Sequence, residues 1–171
     1  MSEIVGPIEI DATELPDPMV SLLKFRQPGG EWVRAPNMGF GVSYALPIVA
    51  GGLSAISGGL FIVENPEAHL HPAGQSTMGV FLAWLASKGV QVILETHSDH
   101  VINGIRLAVG KMKYIACEAV SLLFFDSSES GLPLVQRISV SDRGTLSDWP
   151  EYFFDQYQID VAELGRIRRS K

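Results

Sequence analysis

The chain has 171 residues, 46% hydrophobic and only 19% charged, which excludes intrinsic disorder, a coiled coil and a charged low-complexity tail, because those compositions are charge-rich and apolar-poor. Thirteen Lys and Arg against 19 Asp and Glu give a formal charge of −6. That balance disfavours broad electrostatic wrapping of a nucleic-acid backbone and leaves room for a local basic patch.

Met1 to Ile10 carries two Glu and no basic residue, so the positive front of a secretory signal is missing and no export is expected. Up to residue 34, short apolar stretches alternate with turn formers: Ile8 to Ile10, Pro16 and Pro18, Met19 to Phe25, Pro28-Gly29-Gly30, then Trp32 and Val33. They read as short strands. The uncharged run Ala35 to Val63 exceeds the roughly 20 residues that cross a bilayer as a helix. Pro36, Pro47, Gly51-Gly52 and Gly58-Gly59 divide it into loop, helix, turn and strand, so no membrane span is expected. Inside it, Val42, Leu46, Val49 and Leu53 recur at helical spacing, with Pro47 as a local irregularity.

Leu60-Phe61-Ile62-Val63 is a short, wholly apolar run of the kind that forms a strand buried on both faces. Leu70 to Ser87 is predicted as a helix with Phe81, Leu82, Leu85 and Ala86 inward and Gly89 as its stop. Val90 to Leu94 is a second buried strand, Ser98 caps a helix running to about Val109, and Ala119 to Phe125 is a third strand. That alternation predicts an α/β fold: a mostly parallel sheet with right-handed crossovers, flanked by helices. After Asp126 the pattern changes to a turn at Ser127 to Gly131, a returning strand at Leu132 to Val140, an amphipathic helix over Trp149 to Leu164 and a basic tail, Arg166 to Lys171. The tail reads as a solvated terminus, with contact to DNA or a partner as the alternative. Trp149, Tyr152, Phe153, Phe154 and Tyr157 read as a packing face rather than a platform for bases. The single Cys117 is expected to be buried and inert, and one cysteine fits a reducing cytoplasm.

The two central strands end in polar clusters: Glu64-Asn65-Pro66-Glu67-Ala68-His69-Leu70-His71-Pro72 and Glu95-Thr96-His97-Ser98-Asp99-His100. All four histidines of the chain fall there. Ligands of open parallel sheets bind outside the carboxyl ends of the strands, so both clusters are expected to face one site. Glu64, directly after the first strand, is where an acid reaches a magnesium ion, directly or through water. Glu67, on the next turn, is placed to orient or deprotonate an attacking water. His97, ending the neighbouring strand, is placed to donate a hydrogen bond to a transferring phosphoryl oxygen. The plainer reading of the two acids is a solvated turn with Glu67 near a helix start.

Leu60 through Pro72 resembles the Walker B and D-loop region of ABC-class P-loop ATPases related to the SMC and OLD families, and Glu95-Thr96-His97-Ser98 resembles their switch-histidine loop. Upstream, Asn37-Met38-Gly39-Phe40-Gly41-Val42-Ser43-Tyr44 is similar to the signature motif. The order of the three motifs is also the family's. Thr96 to Ile105 followed by Asp148 to Gln156 further resembles a bacterial AAA-type subgroup with an uncharacterised C-terminal extension. The resemblance spans roughly residues 30–160. It implies ATP and Mg2+ as cofactors, with Glu64 assisting magnesium, Glu67 activating water and His97 sensing the γ-phosphate. It implies that Gly39, Gly41 and Ser43 meet the nucleotide held by an opposing subunit. DNA repair, chromosome handling and phage defence, often through a nuclease or other effector, are the tasks it implies, with DNA contact as a possibility. Without the resemblance, Ser43 reads as a helix residue with a local hydrogen bond, Gly39 and Gly41 as loop glycines, and His69 and His71 as capping or packing residues.

Two departures from the family stand out. Glu64 occupies a position that is usually Asp, and the chain contains no Gly-x-x-x-x-Gly-Lys-[Ser/Thr] string, so the glycine-rich anion nest and its lysine are missing. The expectation is therefore the carboxyl-terminal half of an ABC-type head over residues 1–125 with an extension over residues 126–171. The P-loop would come from a partner half or a homologous subunit. A sheet without its P-loop strand leaves apolar faces and edges that need cover. A truncated product, a degenerate remnant and a non-catalytic scaffold of the same fold are the alternatives. A zinc or two-metal hydrolase built from His69, His71, His97, His100, Asp99 and Glu67 is a further one.

Overall fold

The computed structural model describes residues 1–15, 20–127, 133–150 and 153–169. Pro16, Pro18 and Met19, most of the turn expected at Ser127 to Gly131, Tyr152, and the end of the basic tail, Ser170 and Lys171, lie outside the described residues. A short helix, α1 (Ser2–Val5), precedes three antiparallel strands, β1 (Glu9–Leu15), β2 (Val20–Arg26) and β3 (Val33–Arg34), in spatial order β1-β2-β3. Register runs from Glu9 opposite Arg26 to Leu15 opposite Val20, and the Glu9–Arg26 pair is joined by an ion pair at 2.6 Å.

Helix α2 (Phe40–Ser54) runs through Pro47 and buries Val42, Ala45, Val49 and Gly52 at helical spacing. It leads into β4 (Leu60–Glu64), which pairs in parallel with β5 (Gln91–Glu95), Leu60 opposite Gln91 through Glu64 opposite Glu95. The crossover between them is α3 (Pro72–Ser87), with Pro72 in its first turn, where the missing N–H costs nothing. Gly89, at φ +85°, supplies the left-handed residue that stops it. The main core forms where α1, α2 and α3 meet the inner face of the parallel pair: Ile4, Ala45, Val49, Val63, Leu70, Met78 and Leu82, with Phe61, Val92 and Leu94 packed against them.

Helix α4 (Asp99–Gly110) crosses α3 closely through two glycines. A Cβ on Gly79 would lie 2.1 Å from the carbonyl oxygen of Val101, and one on Gly104 would lie 2.0 Å from that of Ser76. The helix backbones are therefore nearly in contact.

Beyond α4 and a 3₁₀ turn at Cys117–Ala119, β6 (Ser121–Ser127) and β7 (Pro133–Ser139) form an antiparallel hairpin. Its inner residues, Leu122, Phe124 and Ile138, pack with Ile102 and Phe153 as a second core. The last helix is α5 (Gln156–Arg169).

Four expectations are corrected. β4 and β5 are each covered on one face only: Leu60 and Ile62 are 56% and 60% exposed, and Ile93 is exposed on the same side. The helices packed on the pair shield its inner face alone. The third strand, β6, pairs with β7 and does not extend the parallel sheet. Helix α4 supplies the crossover that a parallel partner would need, yet β6 pairs with the strand that follows it, which a short connection brings within reach. The C-terminal helix starts at Gln156 and not near Trp149. Phe153 is drawn into the second core, its ring 5.0 Å from Trp149, 5.4 Å from Phe124 and 4.8 Å from Phe154, and Phe154 at φ +58° is incompatible with a continuing helix. Cys117 is partly exposed, and its hydrogen bond with Glu118, with some desolvation, pushes the thiol up and keeps it protonated. Among the described residues no helix is long and apolar enough to cross a membrane.

Candidate functional site at the carboxyl ends of β4 and β5

The parallel ladder continues one residue past the strands, where the Asn65 N–H donates to the Glu95 carbonyl at 3.0 Å. Asn65 takes φ +46°, a left-handed conformation that Asn tolerates, and Pro66 beside it is fully buried. This bend turns Glu67 back across the strand ends. Its Oε2 accepts from the Thr96 hydroxyl and its Oε1 from the His97 backbone N–H, both at 2.7 Å. Bonds to an ionised acceptor are the stronger kind, so the carboxylate clamps the loop after β5 to the loop after β4.

The clamp is one segment of a closed circuit. Thr96 Oγ1 accepts from the Ser98 N–H at 3.1 Å, and the buried Ser98 hydroxyl donates to Gln75 Oε1 at 2.6 Å. The same hydroxyl oxygen caps α4 by accepting from the Val101 N–H at 3.3 Å. Gln75 Nε2 donates to the Leu70 carbonyl at 2.9 Å, and the Leu70 N–H returns to the Glu67 carbonyl at 3.0 Å. Two strand ends and the starts of two helices are thus held in a single hydrogen-bonded ring.

Glu64 lies at the end of β4, its side chain exposed and its register partner another acid, Glu95. The backbone carbonyl of Glu64 accepts from the Tyr44 hydroxyl at 3.1 Å. The ring of His97 is 78% exposed, with Nε2 3.7 Å from Glu95 Oε1. Glu64, Glu67 and His97 therefore share one edge, the first ending β4, the second on the loop after it and the last bonded to Glu67 through its backbone.

The signature-like residues lie elsewhere. Gly39 caps α2, and Gly41 lies against the loop after β4, where a Cβ would come 2.8 Å from the His69 carbonyl oxygen. Both line an open groove of about 590 Å3 with Gln27, Met38, His69 and His71. Ser43 donates its hydroxyl to the Ala35 carbonyl at 3.2 Å. The histidines are dispersed: the His69 ring centroid is 5.2 Å from that of Phe40, His71 Nδ1 accepts from the Ala73 N–H, and His100 faces Asp99. Among the described residues no three His, Cys, Asp or Glu side chains gather as a metal centre, which removes the geometric basis of the zinc or two-metal alternative. Magnesium makes a smaller demand, one or two carboxylates with water and phosphate completing the shell. The exposed Glu64 beside Glu95 fits that demand.

Two members of the circuit receive no role from motif reading: Thr96, although it lies inside the switch-histidine-like string, and Gln75. The only signal for Gln75 is a long amide in a helix start that otherwise carries small residues, Pro72, Ala73 and Gly74.

A family model described as "AAA domain, putative AbiEii toxin, Type IV TA system" matches residues 2–103. A second, described as "Protein of unknown function (DUF3696)", matches residues 115–164. No curated protein sequence matches the chain significantly. Among solved structures, the chain is similar to one from work on the ATP-driven dimerization and DNA-stimulated activation of SMC ATPases. The TM-score is 0.56 with 14% identity, over 81% of this chain and 78% of that one. At that identity the likeness establishes a shared α/β fold.

Proposed function

The chain belongs to the AbiEii-like AAA-domain family, and from that premise we propose that it supplies the Walker B, signature and switch-histidine elements of an ATPase head whose P-loop lies outside these 171 residues. Residues 1–125 form the head portion and residues 126–171 an extension. The observation that carries this reading is the Glu67 clamp, because it joins the acid after one parallel strand to the histidine loop after the next. The missing phosphate loop and the open outer face of β4 and β5 support it from the other side.

Each residue has a separable task. Glu64, with Glu95 beside it, would hold Mg2+, which when bound neutralises phosphate charge. Glu67 uses one acceptor direction of each oxygen on Thr96 and His97 and keeps the others to orient a water and take its proton. His97 presents its exposed ring to the γ-phosphate, and its position follows Glu67 through the backbone bond. Gly39, Gly41 and Ser43 face the nucleotide of an opposing homologous subunit, an arrangement in keeping with the ATP-driven dimerization named for the SMC ATPase relative. The work is DNA-related or phage defence, through a nuclease or other effector.

Gentle purification of the tagged chain is expected to bring down, in near-equal amount, a polypeptide with a P-loop after a strand, and the pair is expected to hydrolyse ATP. A chain that purifies alone, soluble and monomeric, would sink the proposal and leave the scaffold reading. Gly39 gives a clean second test. A Cβ there meets nothing within 4 Å and the backbone φ is −55°, so Gly39→Ala should cost no more than the preference of an N-cap for Gly over Ala, about 1 kcal/mol or less. The added methyl would obstruct close approach of a phosphate to the backbone. ATPase activity of the pair should therefore fall at least about tenfold, equivalent to about 1.4 kcal/mol. Unchanged turnover would remove Gly39 from the nucleotide interface.

A further inference from the structure

None of the residues of α5 is buried, although the helix carries Tyr157, Val161 and Leu164 at i, i+4 and i+7, with Ile167 one turn further. Tyr157 is 77% and Leu164 60% exposed. A lone helix of about 14 residues is marginal in water and is normally held by packing of its apolar stripe. Something must cover this one.

The charges on α5 indicate what. Asp160 and Glu163 occupy its first part and Arg166, Arg168 and Arg169 its last turns, with Asp155 just before its start. Part of this gradient serves the helix itself, through an ion pair of Glu163 with Arg166 at 3.0 Å and basic residues near the C-terminal dipole. Between two copies the gradient has an orientation. Parallel helices would set acid against acid and base against base, whereas antiparallel helices set the acidic part of each against the basic part of the other. We propose that α5 pairs with α5 of a second copy of this chain, antiparallel, and that the pairing needs no nucleotide. Asp160 and Glu163 on the helix argue against an anionic membrane, which favours a polar face rich in Lys and Arg throughout. The same acids argue against a DNA backbone.

Two such helices, each about 21 Å long, make an interface at the small end of the specific range, so the association is weak and concentration-dependent. Its consequence is a local one: two chains joined through α5 meet elsewhere at a raised effective concentration. The proposal stands independently of the ATPase reading.

Sedimentation of the full chain without nucleotide tests it, using wild type, Leu164→Asp, an acid-to-base variant (Asp160→Arg with Glu163→Arg) and a base-to-acid variant (Arg166→Glu, Arg168→Glu and Arg169→Glu). Wild type should dimerise. Each variant should dimerise at least about tenfold more weakly, and an equal mixture of the two charge variants should recover the dimer. Because α5 buries no side chain, all should keep the wild-type melting temperature, which separates lost pairing from lost folding. A parallel pair already opposes like charges and would not be weakened by the charge variants. A monomeric wild type would overturn the proposal. So would a dimer that survives Leu164→Asp, which would point to the open face of β4 and β5, or a mixture that stays monomeric. Binding of a monomer through α5 to anionic vesicles or duplex DNA would replace the second copy with that ligand.

Discussion

Glu67→Gln is expected to lower ATP turnover of the reconstituted pair by about 10²- to 10⁴-fold, the usual worth of a positioned proton acceptor, while ATP-dependent association persists. The separation follows from the two bonds Glu67 makes. A Gln carbonyl still accepts from the His97 N–H, and its amide can donate to Thr96 Oγ1, so the loop after β5 keeps its place. Only the proton-accepting carboxylate is lost. Thr96→Val makes the complementary change, removing one clamp bond and leaving the acid, and should cost less in turnover than Glu67→Gln. Single-turnover hydrolysis with nucleotide-dependent cosedimentation checks both. Wild-type turnover in Glu67→Gln would take Glu67 out of the base role. Loss of association together with turnover would make the clamp, and not the chemistry, its main contribution.

The second large effect is structural. Gly79→Ala and Gly104→Ala should each lower unfolding free energy by about 3 kcal/mol, the upper part of the range for overpacking. Alanine improves helix propensity by about 1 kcal/mol over glycine, so the sign depends on which effect is larger. The new Cβ atoms would sit 2.1 and 2.0 Å from backbone carbonyl oxygens. A backbone oxygen cannot rotate aside as a side chain does, so α3 and α4 must move apart by about 1 Å along their whole contact. That movement also disturbs the circuit, because Gln75 lies on α3 and Ser98 caps α4. Urea unfolding should show both variants with lower midpoints and unchanged slopes. A midpoint equal to wild type would mean that the helices cross less tightly than described.

Local punctuation was legible in the residues themselves. Gly89 stops α3, Ser98 caps α4 and the apolar runs before Glu64 and Glu95 mark the parallel pair, because each signal acts on its own neighbours. The pairing of β6 was only half legible: the turn and returning strand after it mark the hairpin, but the unbroken apolar run Leu122 to Phe125 does not say whether the strand also lies beside the parallel pair. Trp149 to Phe154 carries a helical rhythm, yet the pull of Phe153 into the second core outweighs it. At the site, strand-end acids and histidines announce themselves through position. Thr96 and Gln75 do not, since a hydroxyl and an amide become part of a circuit only when the fold brings their partners within reach.

The open outer face of β4 and β5 has a consequence for the life of the protein in a cell. A chain made in excess of whatever covers Leu60, Ile62 and Ile93 displays an apolar strand surface of the kind that chaperones hold and proteases clear. Steady-state abundance would then track the supply of the covering partner, so that matched production is enforced by degradation of the surplus.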